Sequence, residues 1–354
     1  MPQGLLSLPL FPCDIEQDAS VRHGELEQTA NHGSIKVVWV QRQGALLHPT
    51  AMGEAGEVLS LNLARGCMHR CAFCSVRAAP NYPEQLPLQI YEGTPDRLAL
   101  ELTSRRYKPR AVYISPSTDP FPPHLDVQTE TIRVVRVLAR FGVQAWIMTR
   151  GFIRPAMMHA LTALRDHVKV TVGLTTLDRG LQRALEPLTA SPRLRLRQIG
   201  QLQRHGIRVQ AAIEPLIPGL TDTRENVESM LDALSGLGIR QVSASYLFLR
   251  PAIRDQLVEA LLQNGLADTV TEEFAAGPML NAPGLAAARY LPRARRQRGY
   301  AALMALAAAR GIAVGITAMT NPDFPTARAP LRESMPRQRL LPLFLERVRP
   351  RQRV

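Results

Sequence analysis

Residues 61–77 read LNLARGCMHRCAFCSVR, and within them Cys67, Cys71 and Cys74 stand in the spacing CxxxCxxC. Three of the chain's four cysteines lie in this one turn. Thiolates so close in sequence can face a single centre, and soft sulfur ligands select iron–sulfur clusters, zinc or Cu(I) over hard cations. A structural zinc site takes four protein ligands, usually drawn as two separated pairs. Here there is one triplet, and His69, between Cys67 and Cys71, would have to fold back sharply inside the loop to be a fourth ligand. A disulfide framework needs an even number of thiols and an oxidising compartment. Three cysteines on a cubane leave one iron without a protein ligand, open to a substrate or cofactor.

With Phe73 between the second and third ligands the stretch becomes CxxxCxφC, φ being aromatic. In this it resembles the radical S-adenosylmethionine (radical SAM) superfamily. The resemblance implies a [4Fe-4S] cluster held by Cys67, Cys71 and Cys74, with S-adenosylmethionine (SAM) chelated to the open iron through its amine and carboxylate. It further implies an electron donor such as flavodoxin or ferredoxin, and reductive cleavage of SAM to a 5′-deoxyadenosyl radical that abstracts hydrogen. The protein's share is to position the cofactor and keep the radical from water.

Outward from the cysteine turn, short β-branched runs alternate with amphipathic segments. The runs are VLSLNL (58–63), AVYIS (111–115), VQAWIMT (143–149), VKVTVGL (168–174), RVQAAIE (208–214) and QVSASYLFL (241–249). Helices are predicted from Thr94 and Pro95 onward and over about 129–141, 155–167, 178–185 and 194–205. Asp222 and Glu225 read as a capping box for a further helix ending near Leu237. This rhythm argues for parallel βα units in an α/β fold, with ligands at the C-terminal strand ends. A doubly wound sheet would share it. The superfamily resemblance implies an open, incomplete (β/α)6 TIM-like barrel over residues 56–250. Residues 1–55 read as an N-terminal extension in which IKVVWV (35–40) forms a covering strand. Residues 251–326 read as a C-terminal extension, with a helix over 297–310 and a strand within GIAVGITAM. Residues 327–354 read as a flexible basic tail.

If the turn holds SAM, strand-end residues must meet its amine, carboxylate, ribose and adenine. Ser117, Thr118 and Asp119 follow the second strand, where superfamily members bind the methionyl amine; they are also good turn formers. Arg150 follows the third strand and is placed to pair with the carboxylate. Thr175 or Thr176 follows the fourth and is placed for the ribose, Thr175 serving equally as an N-cap. Ile213, near the end of the fifth, is the expected adenine contact, beside the carboxylate of Glu214. Tyr246 reads first as a core aromatic and second as a substrate contact.

The chain has 354 residues and a formal charge of +13. Between 327 and 354, eight arginines stand against Glu333 and Glu346, a net +6 in a segment punctuated by four prolines. Such a tail attracts any polyanion without specificity. The cluster RYLPRARRQRGY (289–300) reads as a solvated helix start or a phosphate contact. No apolar run approaches the roughly 18 residues of a membrane span. The first residues lack the basic region of a signal peptide, and cysteine usage fits a reducing cytoplasm.

NLARGCMHRCAFC, SPSTDPFPP, residues 175–187 and EPLIPGLTD are similar to the spore photoproduct lyase group, also called DNA repair photolyase-like proteins. In that lyase the radical abstracts hydrogen from a thymine dimer and a further cysteine returns one. This chain keeps only Cys13 outside the triplet, a departure from that chemistry that leaves Tyr246 or another residue to serve. The expectation is a lyase-like radical SAM enzyme acting on an undetermined substrate, damaged DNA or another nucleic acid among the candidates. The competing reading is a non-catalytic iron–sulfur or zinc protein that binds nucleic acid through its basic segments. Oligomeric state is not legible.

Overall fold

The structure, a computed structural model, describes residues 37–50, 57–78, 82, 88–262, 267–281, 287–316 and 320–324. The start of the chain, Cys13, most of the expected N-terminal extension and the expected flexible tail lie outside the described residues.

Near the N-terminus are β1 (Val37–Val40), β2 (His48–Pro49), β3 (Val58–Leu61), β4 (Ala64–Arg65) and β5 (Leu88–Tyr91). Next come α1 (Thr94–Ser104), β6 (Ala111–Ile114), α2 (Leu125–Arg140), β7 (Gln144–Thr149), α3 (Pro155–Ala163) and β8 (Val168–Leu174). Then follow α4 (Arg179–Leu185), α5 (Pro192–Arg204), β9 (Arg208–Leu216), α6 (Arg224–Gly236) and β10 (Gln241–Tyr246). The remainder is α7 (Pro251–Leu262), α8 (Ala267–Ala275), β11 (Met279–Leu280), β12 (Ala288–Arg289), α9 (Arg293–Ala308) and β13 (Ala313–Ile316).

The main sheet has eight strands in the order β13-β10-β9-β8-β7-β6-β3-β2. Every pairing from β3 to β13 is parallel, and only β2 runs antiparallel, against β3. The edges β2 and β13 do not pair with each other, so the sheet stays open. Six consecutive βα units thus build it, with β13 from the C-terminal extension added beside β10. The expected covering strand β1 joins a separate three-stranded sheet, β1-β5-β4, instead of the main one.

Periodicity separates barrel from doubly wound sheet. A sheet covered by helices on both faces buries every residue of its strands. Here β7 alternates half-buried with buried positions, and β8 does so until its last turn. Ala145, Ile147, Val168, Val170 and Val172 face the helices and are at most 2% exposed. They join Val134, Leu138, Leu161, Ile199, Leu231 and Leu234 in one core, each such side chain contributing about 1.5–3 kcal/mol by leaving water. The opposite face, with Trp146, Met148, Lys169 and Thr171, is half-buried and lines a concavity.

Local chemistry sets the helix limits. Ser191 accepts a hydrogen bond from Leu194 N and Pro192 occupies the first turn of α5. For α6 the cap is Thr223, whose hydroxyl accepts from Asn226 N, rather than Asp222. Asp222 is drawn elsewhere, accepting from Gly219 N and from Tyr246 and Arg295. The basic cluster 293–298 lies inside α9, which starts at Arg293 after Pro292. Within it Arg296 is fully buried, bonded to Asn321 and Asp323. Replacing the hydroxyl of a helix cap costs about 1 kcal/mol. Thr223→Ala is therefore expected to lower unfolding free energy by about that amount in urea titration.

Candidate cofactor site at the C-terminal strand ends

Parallel strands bring their C-terminal ends to one side of the sheet, and the cysteine turn is the first segment to leave it, after β3. Its backbone is pinned from three directions. Ala72 N donates to Leu185 O at 2.8 Å, tying the turn to the end of α4. Gln256 of α7 donates through Nε2 to Ala72 O at 2.6 Å, with Cys71 O at 3.4 Å. Arg250 Nη1 donates to Ser75 O at 3.0 Å.

His69 is buried, with Nδ1 2.9 Å from Leu188 O and Nε2 3.2 Å from Asp119 Oδ2. The second contact has an ion pair's distance but an angle too poor for a hydrogen bond. Both nitrogens are thus turned toward protein oxygens, which removes His69 as the fourth ligand of a zinc site. Cys67, Cys71 and Cys74 instead line one wall of a cavity of about 270 Å³. Burial first, then neighbouring negative groups, push the Cys67 and Cys71 thiols well above their ordinary range. Metal binding to such thiols must release protons.

The other walls come from strand ends. Tyr113 of β6, Thr118 and Asp119 after it, Met148 of β7, Arg150, and Glu214 of β9 all face the cavity. Ser245 and Tyr246 of β10, with Phe248, close it on the far side. Thr118 Oγ1 is buried and has no hydrogen-bond partner among the described residues. A hydroxyl stripped of water and left unpaired costs about 1–3 kcal/mol, so this one is built for a ligand. Three cysteine sulfurs, an unpaired hydroxyl and the Glu214 carboxylate on one cavity fit a cubane with an amino-acid cofactor beside it.

Asp119 is 6% exposed and fully engaged. Oδ1 accepts from Phe121 N at 2.8 Å and from Thr149 Oγ1 at 2.7 Å, and Oδ2 accepts from Arg150 N at 2.8 Å. Burial opposes its charge, but the facing His69 and these donors hold the carboxyl below its usual range. Arg150 likewise has protein partners. Nη1 donates to Glu186 Oε1 at 2.6 Å and Nη2 to Glu214 O at 2.8 Å, while Cζ lies 5.3 Å from the Phe73 ring. The absence of a side chain at position 173 makes this possible: a Cβ on Gly173 would sit 2.9 Å from Arg150 Cζ.

Thr118, Asp119 and Arg150 therefore stand together on the cavity, while Ser117, Thr175 and Ile213 do not line it. Ser117 is paired through its amide and hydroxyl with Asn62. Thr175 is 1% exposed and donates to Glu186 Oε1 at 2.7 Å; Thr176 bonds Asn226 Oδ1 at 2.6 Å. Ile213 is fully buried in the core. Tyr246 packs edge-on against Tyr300, as expected of a core aromatic, and also lines the cavity, with its hydroxyl turned to Asp222. Tyr113 and Met148 escaped the sequence reading, although strand alternation puts both on the concave face.

Glu186 holds these parts in register. It has no exposed surface and lies between Arg150 and Arg195, with Thr175 donating as well. Burial opposes its charge, yet the two guanidiniums hold the carboxyl below its ordinary range.

Residues 61–234 match the family described as the Radical SAM superfamily, so this chain carries a radical SAM domain spanning the cysteine turn and the four parallel strands β6 to β9 that follow it. It is 28% identical over 228 residues to an uncharacterized protein, ORF301, of Acidianus two-tailed virus, covering 59% of this chain and 75% of that one. It is 27% identical over 204 residues to the uncharacterized protein Rv2578c of Mycobacterium tuberculosis, covering 55% and 60%. This chain thus spans less than two thirds of the mycobacterial relative. Among solved structures, spore photoproduct lyase superposes with a TM-score of 0.64 at 12% identity, covering 79% of this chain and 82% of that one. The radical SAM methyltransferase TsrM of Kitasatospora setae superposes with a TM-score of 0.50 at 15% identity, covering 72% and 52%. At such identities the likeness is one of fold.

A carboxyl with a depressed value contributes stability above its unfolded value, about 4.3 for Glu, and loses it as pH falls through the lower folded value. Glu186→Gln would leave two buried guanidiniums without their counter-charge. The expected loss at neutral pH is about 3–5 kcal/mol in urea denaturation. The gap between the wild type and this variant should shrink below about pH 4.

Proposed function

We propose that this chain uses its radical SAM domain as an enzyme, holding a [4Fe-4S] cluster through Cys67, Cys71 and Cys74 and SAM in the adjoining cavity. The observation that carries this reading is the juxtaposition of three thiols with the unpaired, buried Thr118 hydroxyl at the strand ends. When bound, the cluster and SAM supply a 5′-deoxyadenosyl radical, with the electron coming from a donor such as flavodoxin or ferredoxin.

The chain's own residues divide the remaining work. Thr118 Oγ1 accepts from the methionyl amine, and Glu214 adds a carboxylate to that amine or to the ribose. Arg150 is neutralised by Glu186, so it forms a cationic wall without a free charge to be desolvated. Its donation to Glu214 O holds the end of β9 beside it. Asp119, on the cavity, faces His69 and holds the Arg150 backbone, while Ser117, Thr175 and Ile213 act behind the wall: Thr175 orients Glu186 and Ile213 keeps β9 seated. Water is kept out by Phe73, Met148 and Phe248.

As substrate we propose a nucleobase, from damaged DNA or another nucleic acid. Phe248, stacked on Tyr290 at 5.7 Å, gives the cavity a flat aromatic wall suited to a base. A related fold, spore photoproduct lyase with bound AdoMet and dinucleoside spore photoproduct, superposes with a TM-score of 0.61. In a lyase-type reaction the hydrogen returned to the product would come from the Tyr113 O–H on this cavity, because the Tyr246 hydroxyl is turned away to Asp222 and Arg295.

Anaerobic reconstitution with iron and sulfide, followed by reduction with SAM present, should yield 5′-deoxyadenosine. Single replacement of Cys67, Cys71 or Cys74 by Ala should abolish both cluster absorbance and cleavage. Thr118→Val should retain the cluster and weaken SAM binding about tenfold by calorimetry, the loss of one hydrogen bond. Cleavage that survives in the cysteine variants would sink the proposal. A cluster that forms but neither binds nor breaks SAM would favour a non-catalytic binding protein.

A further inference from the structure

The end of the sheet opposite the cysteine cavity carries a charge pattern that the catalytic reading does not use. Parallel strands share a direction, so the residues that lead into them gather on one face. Lys108 and Arg110 lead into β6, Arg140 into β7 and Arg165 into β8; Arg208 opens β9 and Arg240 precedes β10. All six are exposed. Among the described residues none of the six is in an ion pair. The acids on the same face are Glu57, before β3, and Asp166, before β8, while Asp232 is already paired with Arg310.

These cations form a continuous surface. Neighbouring strands lie about 4.8 Å apart, so the starts of β6 to β10 span on the order of 20 Å. Side chains link across that span. Arg110 Cζ lies 5.7 Å and Lys169 Nζ 5.6 Å from the ring centre of Trp146, which stands between them. Arg208 donates to Gln144 Oε1, and Gln144 Nε2 donates to Asp166 O at 3.0 Å. Burial and the nearby Arg208 both push the Lys169 ammonium downward, as expected where like charges crowd. At the β6 end Arg106 lies over Tyr107, whose ring is 76% exposed.

Folding gains nothing from crowding unpaired cations at one end of a sheet. A phosphate backbone gains from such a row, and an exposed aromatic ring beside the cations, as Tyr107 is, is what a base of a single strand stacks on. An acidic protein surface would use the charges but leave Tyr107 without a purpose. We infer that the N-terminal face of the sheet, from Lys108 to Arg240, is a docking surface for single-stranded nucleic acid, with Tyr107 as a stacking platform. It is separate from the cysteine cavity and from the basic segment beyond 327, and it stands whether or not a nucleobase is the substrate.

The test is fluorescence anisotropy of fluorescein-labelled oligothymidylate with the full chain over a range of salt concentrations. On single strands each phosphate contact contributes a slope of about −0.7 to log K against log salt. Joint replacement Lys108→Gln, Arg110→Gln, Arg208→Gln and Arg240→Gln should therefore flatten the slope by about 3. Tyr107→Ala should weaken binding on the order of tenfold and leave the slope unchanged. Should thermal melting show the quadruple variant to be unfolded, Arg140→Gln with Arg165→Gln should flatten the slope by about 1.4. Wild-type affinity and slope in these variants would overturn the inference. So would binding that disappears when Arg347, Arg349, Arg351 and Arg353 are changed to Gln with the face intact. Polyglutamate that displaces the oligonucleotide at equal charge concentration would assign the face to an acidic protein instead.

Discussion

A carboxylate without any exposed surface is among the costliest things a fold can contain, several kcal/mol per ion before compensation. Glu186 is compensated by two guanidiniums and a hydroxyl, and each partner carries the constraint onward. Arg150 reaches the backbone of β9 at Glu214, while Arg195 donates to Gly173 O at 2.7 Å and to Ala190 O at 2.8 Å. One side chain thereby fixes the relative heights of β7, β8 and β9 and of the two helices that follow β8. The cysteine turn hangs from the same place, since Leu185, whose carbonyl holds Ala72, is the neighbouring residue. The geometry of the cysteine turn is in this sense tied to a buried ion pair.

The fold was open to reading because its signals are local. Six β-branched runs, each followed by a helical segment, became six parallel strands, and the cysteine triplet fell where the first of them ends. The site was read less completely, for reasons of distance along the chain. Arg150 looked like a free cation after a strand because its partner Glu186 lies 36 residues away, in a helix end with no marking of its own. Ile213 falls at a strand end but on the helix-facing side, a matter of strand phase that a one-residue shift reverses, while the Thr175 hydroxyl is taken up by Glu186, again a partner that the local sequence does not mark. Asp222 beat Thr223 as a sequence cap because Asp and Thr are both good caps. What decided between them was Arg295 in α9, which claims the Asp222 carboxylate at 2.6 Å.

Net charge misleads when it is read as a single number. The arginines of residues 327–354 supply nearly half of the net charge, +6 of +13, but the described part of the chain distributes its cations unevenly as well. Arg195 and Arg296 are fully buried and serve packing. Arg140 and Arg240 are exposed and lie on the face away from the cavity. Only the direction of the strands separates these populations, which is why a parallel sheet can give one end of a protein an electrostatic character that its sequence, read linearly, conceals.

The contact between α7 and the cysteine turn bears on how such proteins diversify. Gln256 belongs to the C-terminal part of the chain, where substrate selection is expected to vary, yet its amide holds the carbonyl of Ala72, between two cysteines. A barrel and an extension joined in this way cannot be exchanged as independent modules. Any lineage that replaced the extension would also have to supply a new donor for that carbonyl, so changes in the extension would be tied to the upkeep of the cysteine turn.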